Sequence, residues 1–129
     1  MKMNNEKEKL RDILSKSLKE IPDLEGSCTL AIVYLVPYTN KIRSLIMGDS
    51  SFCIIKVKEN ESKIIYKSKE QMIGYNCPKQ CGHSSCDPYD SIEEIHEISN
   101  NDIIIVGTDG YENNIDFGTI CLKKKFLIL

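Results

Sequence analysis

Apolar and polar positions change rhythm three times along this chain. From Asn4 to Ile21, the residues Leu10, Ile13, Leu14, Leu18 and Ile21 recur at helical spacing, and Lys, Glu, Arg and Asp fill the other face. Asn4 or Asn5 can cap the start of this packing helix, and Pro22-Asp23 stops it. After Gly26-Ser27-Cys28-Thr29 the rhythm shortens to a succession of brief apolar runs: Leu30 to Val36, Ile42 to Met47, Phe52 to Val57 and Lys63 to Tyr66. The connections are too short for the crossovers of about a dozen residues that parallel pairing needs, so the runs predict an antiparallel meander.

Ser68 to Asp90 has no periodicity and is rich in Gly, Pro, Ser, Asn and Cys, which predicts a long irregular loop of the kind that tends to be functional or mobile. Ile92 to Ile98 predicts another strand. Asp102 to Gly110 then sets a run of β-branched residues against Thr108-Asp109-Gly110. Such a run reads as a strand buried on both faces, with a carboxylate at its mouth. That carboxylate either caps its own turn or faces a hard cation. The pattern as a whole is a single α+β domain over residues 1–129.

Composition narrows the classes of function. Hydrophobic residues are 41% and charged residues 28%, ordinary for a globular protein, and a formal net charge of −2 provides no basic field for nucleic acid. No apolar run approaches the roughly 20 residues of a membrane span. Met1 to Leu10 is almost wholly polar and lacks the apolar core of a secretory signal, so an intracellular protein with reduced cysteines is expected.

Three of the six cysteines and one of the two histidines stand close together in the loop region. Cys77, Cys81, His83 and Cys86 could offer Zn²⁺ four soft or borderline ligands. The spacing C-x3-C-x-H-x2-C is not a common zinc pattern, and one residue between Cys81 and His83 is a tight bite. Reduced cysteines with a solvated histidine are the expectation, with zinc as the alternative. Cys28 and Cys53 lie in or beside strand runs and are expected to be small buried hydrophobes.

Three segments, in order, resemble the metal-dependent protein phosphatase family of type 2C. Gly26-Ser27-Cys28-Thr29-Leu30-Ala31 is similar to the start of that family's central strand, Gly48-Asp49-Ser50 to its Gly-Asp-Ser turn, and Asn101 to Gly110 to its strand ending in Thr/Ser-Asp-Gly. Ser68, Gln71 and Tyr75-Asn76-Cys77-Pro78-Lys79-Gln80 further resemble the small, often mitochondrial branch related to the seventh yeast type 2C phosphatase. The resemblance covers residues 26–115 and implies an antiparallel β-sandwich flanked by helices, here a partial one. It implies hydrolysis of phosphoserine and phosphothreonine in proteins by a water bridging two Mg²⁺ or Mn²⁺ ions. No Ser-His-Asp or Cys-x5-Arg arrangement competes with that reading. Asp109 matches a metal ligand of the family; Asp49 matches the aspartate that can help hold a third ion, or it stabilises its turn. The branch suggests mitochondria, but the sequence carries no Arg- and Ser-rich presequence, so the expectation is an intracellular location, mitochondrial or cytoplasmic.

The departures carry equal information. The family's Asp-Gly-x-Gly-Gly motif and its closing Asp-Asp/Asn ligand have no counterpart, and Asn113 stands where an aspartate is usual. The only arginines are Arg11 and Arg43, neither at the usual phosphate-binding position. The chain is therefore expected to be a fragment with no complete catalytic set, inactive alone and poorly soluble or partly unfolded; a sharp cooperative thermal transition from a monomer would refute the latter. The tail from Asp116 is expected to be read-through of an intron or a lost frame, which sequencing the mature message would test. The alternative from another class is a catalytically dead binding module that contacts a partner through loop 77–86.

Overall fold

A computed structural model describes residues 8–21, 25–59, 61–82 and 86–110. Its elements, in chain order, are α1 (Leu10–Lys19), β1 (Ser27–Cys28), β2 (Leu30–Leu35), β3 (Lys41–Met47), β4 (Ser51–Val57), β5 (Ser62–Lys67), β6 (Met72–Gly74), β7 (Cys77–Pro78) and β8 (Cys81–Gly82). A 3₁₀ turn at Pro88–Asp90, β9 (Ile92–Glu97) and β10 (Ile103–Gly107) complete them. The expected caps Asn4 and Asn5, the Pro22-Asp23 stop and everything from Tyr111 onward, Asn113 and the tail included, lie outside the described residues.

The strands form two three-stranded antiparallel sheets, ordered β2-β3-β9 and β10-β4-β5, with two small two-stranded pairs, β1-β8 and β6-β7. This corrects the expected meander. β3 and β4 follow one another in sequence but belong to different sheets, and each is the central strand of its own. The reason is visible in their burial. Ile42, Leu45, Ile46 and Met47 on β3, and Phe52, Cys53, Ile54 and Ile55 on β4, are all essentially inaccessible. Side chains alternate faces along a strand, so both faces of both strands are apolar and covered. A strand of that kind is stable in the middle of a sheet and costly at an edge.

The sheets meet through Ile42 and Ile46 from one and Phe52 and Ile54 from the other, with Ala31, Val33, Tyr66, Ile98 and Ile104 packed around them. His96 enters this layer from β9, its ring 4.1 Å from that of Tyr66 and 5.6 Å, edge-on, from that of Phe52. The Tyr66 hydroxyl donates to Glu94. Burial first, then that hydrogen bond and the charge of Glu94, raise the Tyr66 hydroxyl well above an ordinary phenol. His96 Nε2 stands 3.5 Å from Glu94 Oε2 without forming a hydrogen bond.

Helix α1 covers the opposite face of β3. Its N-cap, Lys9, makes no side-chain cap. Instead Glu93 of β9 accepts from the Leu10 amide at 3.0 Å and the Arg11 amide at 3.4 Å. Free N–H groups at a helix start, with the positive end of the helix dipole, are well matched to a carboxylate. Glu93 also draws in both arginines, Arg43 Nη2 at 2.6 Å and Arg11 Nε at 3.3 Å. Burial alone would raise the Glu93 carboxyl; the Leu10 amide, the Arg43 side chain and the Arg11 amide outweigh it and hold the group below its usual value. Tyr89 of the 3₁₀ turn donates to Asp12 at 2.7 Å and fastens the far side of the helix.

Two further expectations are corrected. β10 is not buried on both faces: Ile103 to Ile105 are half-buried and Val106 is exposed, because β4 is its single sheet partner among the described residues. Segment 68–90 is not irregular throughout. It contains β6, β7, β8 and the 3₁₀ turn, since backbone donors and acceptors near a core need partners whatever the side chains are.

Candidate functional site

The three segments singled out in the sequence come together at one end of the sandwich. Leu30 lies opposite Met47 across β2 and β3, and Gly107 lies opposite Ser51 across β10 and β4. Thr29, the Gly48-Asp49-Ser50 turn and Thr108-Asp109-Gly110 therefore all extend past the same rim. Two of them touch: Thr29 Oγ1 and Ser50 Oγ share a hydrogen bond of 2.7 Å.

The turn is where one sheet hands the chain to the other, and Gly48 is required there. Its φ is +91°, and a Cβ would sit 2.4 Å from the Lys79 carbonyl oxygen and 2.5 Å from Thr29 Cγ2. The segment after β5 holds the turn from outside. Gln71 N–H donates to the Gly48 carbonyl at 2.8 Å, Lys79 N–H donates to the Gln71 carbonyl at 2.9 Å, and the Gln71 side-chain amide reaches the Asp90 carbonyl at 2.7 Å. Ser68, buried, accepts from the Phe52 amide and donates its own amide to the Phe52 carbonyl, both at 2.9 Å. Ser68 and Gln71 are thus tied to the ends of the very turn that carries Asp49.

Asp49 is half-buried in this turn and Asp109 is exposed just past β10. The Asp109 carboxylate accepts from the next amide, Gly110, at 2.8 Å. Asp102, at the other end of β10, is a turn residue and accepts from the Ser99 amide at 2.8 Å. Neither arginine stands free for an anion: both are committed to Glu93. Among the described residues no three His, Cys, Asp or Glu side chains are grouped closely enough to hold a metal ion.

The cysteines are arranged otherwise than the local spacing suggested. Cys81 is buried and faces Cys28 across the β1-β8 pair, the two sulfurs 3.7 Å apart. Cys77 is exposed and Cys86 half-buried, while His83 lies outside the described residues. Cys53 is buried as expected, but Cys28 is exposed, because β1 is a two-residue strand at the surface. Burial, followed by the contact with Cys28, pushes the Cys81 thiol up to about 11. Two relations were not visible in sequence: the Cys28–Cys81 pair and the gathering of charge on Glu93. Each joins residues more than 50 positions apart or on different elements, where no local periodicity connects them.

No protein-family model matches the chain. It is 29% identical over 116 residues to the 5-azacytidine resistance protein azr1 of Schizosaccharomyces pombe, an alignment covering 81% of this chain and 38% of that protein. In structure it is similar to the photosystem II phosphatase PBCP, with a TM-score of 0.72 at 19% sequence identity, over 85% of this chain and 42% of that one. The chain thus spans less than half the length of either. No described helix is long and apolar enough to cross a membrane. The two-sheet arrangement with its helix is an α+β fold, and it is part of the fold seen in that phosphatase.

Proposed function

We propose that this chain forms the central part of a metal-dependent protein phosphatase of type 2C, acting on phosphoserine and phosphothreonine. The observation that carries the proposal is the convergence of Thr29, Gly48-Asp49-Ser50 and Thr108-Asp109-Gly110 at one rim of a sandwich built like that of a known phosphatase. An exposed carboxylate at a strand mouth is open to a hydrated Mg²⁺ or Mn²⁺ ion, and Asp109 is that group. Asp49 is the weaker candidate, since its place in the turn explains it equally well.

The described residues do not by themselves make a two-metal centre. Two hard dications need several anionic oxygens between them, and the rim offers two aspartates. Both arginines are occupied by Glu93, so neither is free to anchor a phosphate. The remaining ligands would have to come from sequence outside the described residues, and the chain alone is expected not to turn over. The test is Mn²⁺-dependent hydrolysis of a phosphothreonine peptide, by this chain and by the chain joined to its flanking coding sequence. Turnover is expected only from the longer form, abolished by Asp109→Ala and kept by Cys77→Ser. Equal turnover by the Asp109→Ala variant overturns the reading.

The tip of the β6-β7 hairpin supports a second reading, a partner-binding module. Ile73 and Tyr75 are exposed there, at 65% and 102%, beside Cys77. That reading expects no hydrolysis from either form of the chain.

A further inference from the structure

The pair Cys28–Cys81 belongs to no part of the proposed hydrolytic site, and its geometry is specific. The two residues are direct partners in antiparallel strands, a position at which Cα atoms stand about 4.5–5.5 Å apart. That lies within the window of about 4.4–6.8 Å that a disulfide spans without backbone movement. The strands are pressed together here by a missing side chain. A Cβ on Gly82, the residue after Cys81, would fall 2.4 Å from the Gly26 carbonyl oxygen and 2.9 Å from Ser27 Cα. Ser27 adds a side-chain hydrogen bond to Gln80, so the residues on both sides of the pair are fixed. The sulfurs, 3.7 Å apart, need only side-chain rotation to reach bonding distance.

We propose that Cys28 and Cys81 are a redox modification site that closes to a disulfide with a small disulfide oxidant of the glutathione class. The two thiols are unequal in the way such a reaction uses. Cys28 is at the surface and meets the oxidant; Cys81 is buried beneath it and acts second. The Cys28 thiolate attacks one sulfur of oxidised glutathione, the S–S bond breaks, and one glutathione leaves as thiolate, which takes up a proton. Cys81 then gives its proton to solvent and attacks Cys28 Sγ, releasing the second glutathione. In sum, two protein thiols lose two electrons and two protons, and one glutathione disulfide becomes two thiols.

The bond would act on the rim. Thr29, next to Cys28, holds Ser50, and Lys79, two residues before Cys81, packs its carbonyl on Gly48. Closing the pair therefore ties together the two segments that clamp the Gly48–Ser50 turn, across a sequence separation of 53 residues.

The test equilibrates the purified full chain with graded mixtures of reduced and oxidised glutathione, unfolds and alkylates it, and maps cysteine-containing peptides by mass spectrometry. The expected result is the loss of two alkylatable thiols in favour of a Cys28–Cys81 crosslink, reversed by dithiothreitol, while Cys77 and Cys86 stay alkylatable. Cys28→Ser, at an exposed site, should lose the crosslink and leave Cys81 alkylatable. In the oxidised chain, hydrogen exchange at Gly48 to Ser50 should slow, with no such slowing in Cys28→Ser. Overturning results are full alkylation of both thiols at the most oxidising mixture, or crosslinks scattered over Cys77 and Cys86. One equivalent of zinc in the purified chain, lost in Cys28→Ser, would assign the pair to a metal instead.

Discussion

Strands β3 and β4 surrender nearly all their surface to neighbours, whereas the rim they support keeps its chemistry near water. Ile42, Ile46, Phe52 and Ile54 are buried and packed together, so a change of volume at any of them should carry a cost. Asp109, two residues past the end of β10, is exposed and accepts a hydrogen bond from the amide beside it. Between the two extremes lies the Gly48–Ser50 turn, held neither by the core alone nor by itself but by Gln71, Lys79 and Thr29 from outside. The difference separates what specifies the fold from what the proposed site would use. Substitutions in the core should move stability, those at the rim should move function, and those in the clamp should touch both.

The largest effect is expected from Phe52→Ala, which empties a site against Tyr66 and His96 and should cost about 3–5 kcal/mol in urea unfolding. Glu93→Gln comes next. It removes the charge shared by two arginines and a helix start, and should cost about 2 kcal/mol. The sign with pH follows from the lowered native value. The stabilisation from Glu93 is present above its unfolded value of 4.5 and is lost as pH falls through the lower folded value. A urea series across that window should show a steeper acid loss in the natural chain than in Glu93→Gln; parallel curves would remove Glu93 from the account.

Ser68→Ala should be milder, about 1 kcal/mol, because it leaves the buried Phe52 amide without its side-chain partner. It should also speed hydrogen exchange at Gly48 to Ser50, which a purely local effect on β4 would not do. The smallest change in stability is expected for Asp109→Ala, within about 0.5 kcal/mol, the range of exposed positions. A larger loss would mean that Asp109 is a structural turn residue and would blur the division between core and rim.

Much of this division can be read from the residues in order. The apolar runs at Leu30, Ile42, Phe52 and Ile92 mark strands to within a residue or two, and Gly48, with its positive φ, marks the turn between the two central ones. What cannot be read is which strands are neighbours. Runs separated by short turns look like a meander whether the turn folds back within one sheet or passes to the other. Burial on both faces, the property that sends β3 and β4 to separate sheets, is shared by both runs and names no partner. β10 misleads for the converse reason: an all-apolar run fits a central strand, but here it has a single partner among the described residues. The rim is legible as three motifs, and its convergence follows from the registers. The clamp is less so, since Gln71 acts mainly through its backbone. Cys28 and Cys81 fall in two different sequence motifs, and only the β1-β8 register, with the close approach at Gly82, makes them a pair.

The central claim, that the rim is the acidic part of a metal-dependent site, is tested most directly by titrating Mn²⁺ into the purified chain and following the electron paramagnetic resonance signal of the free ion. Weak binding is predicted for the natural chain, lost in Asp109→Ala at unchanged melting temperature and weakened or unaffected in Asp49→Ala. Equal binding by the natural chain and Asp109→Ala, or none by either, would contradict the assignment of Asp109 to a metal.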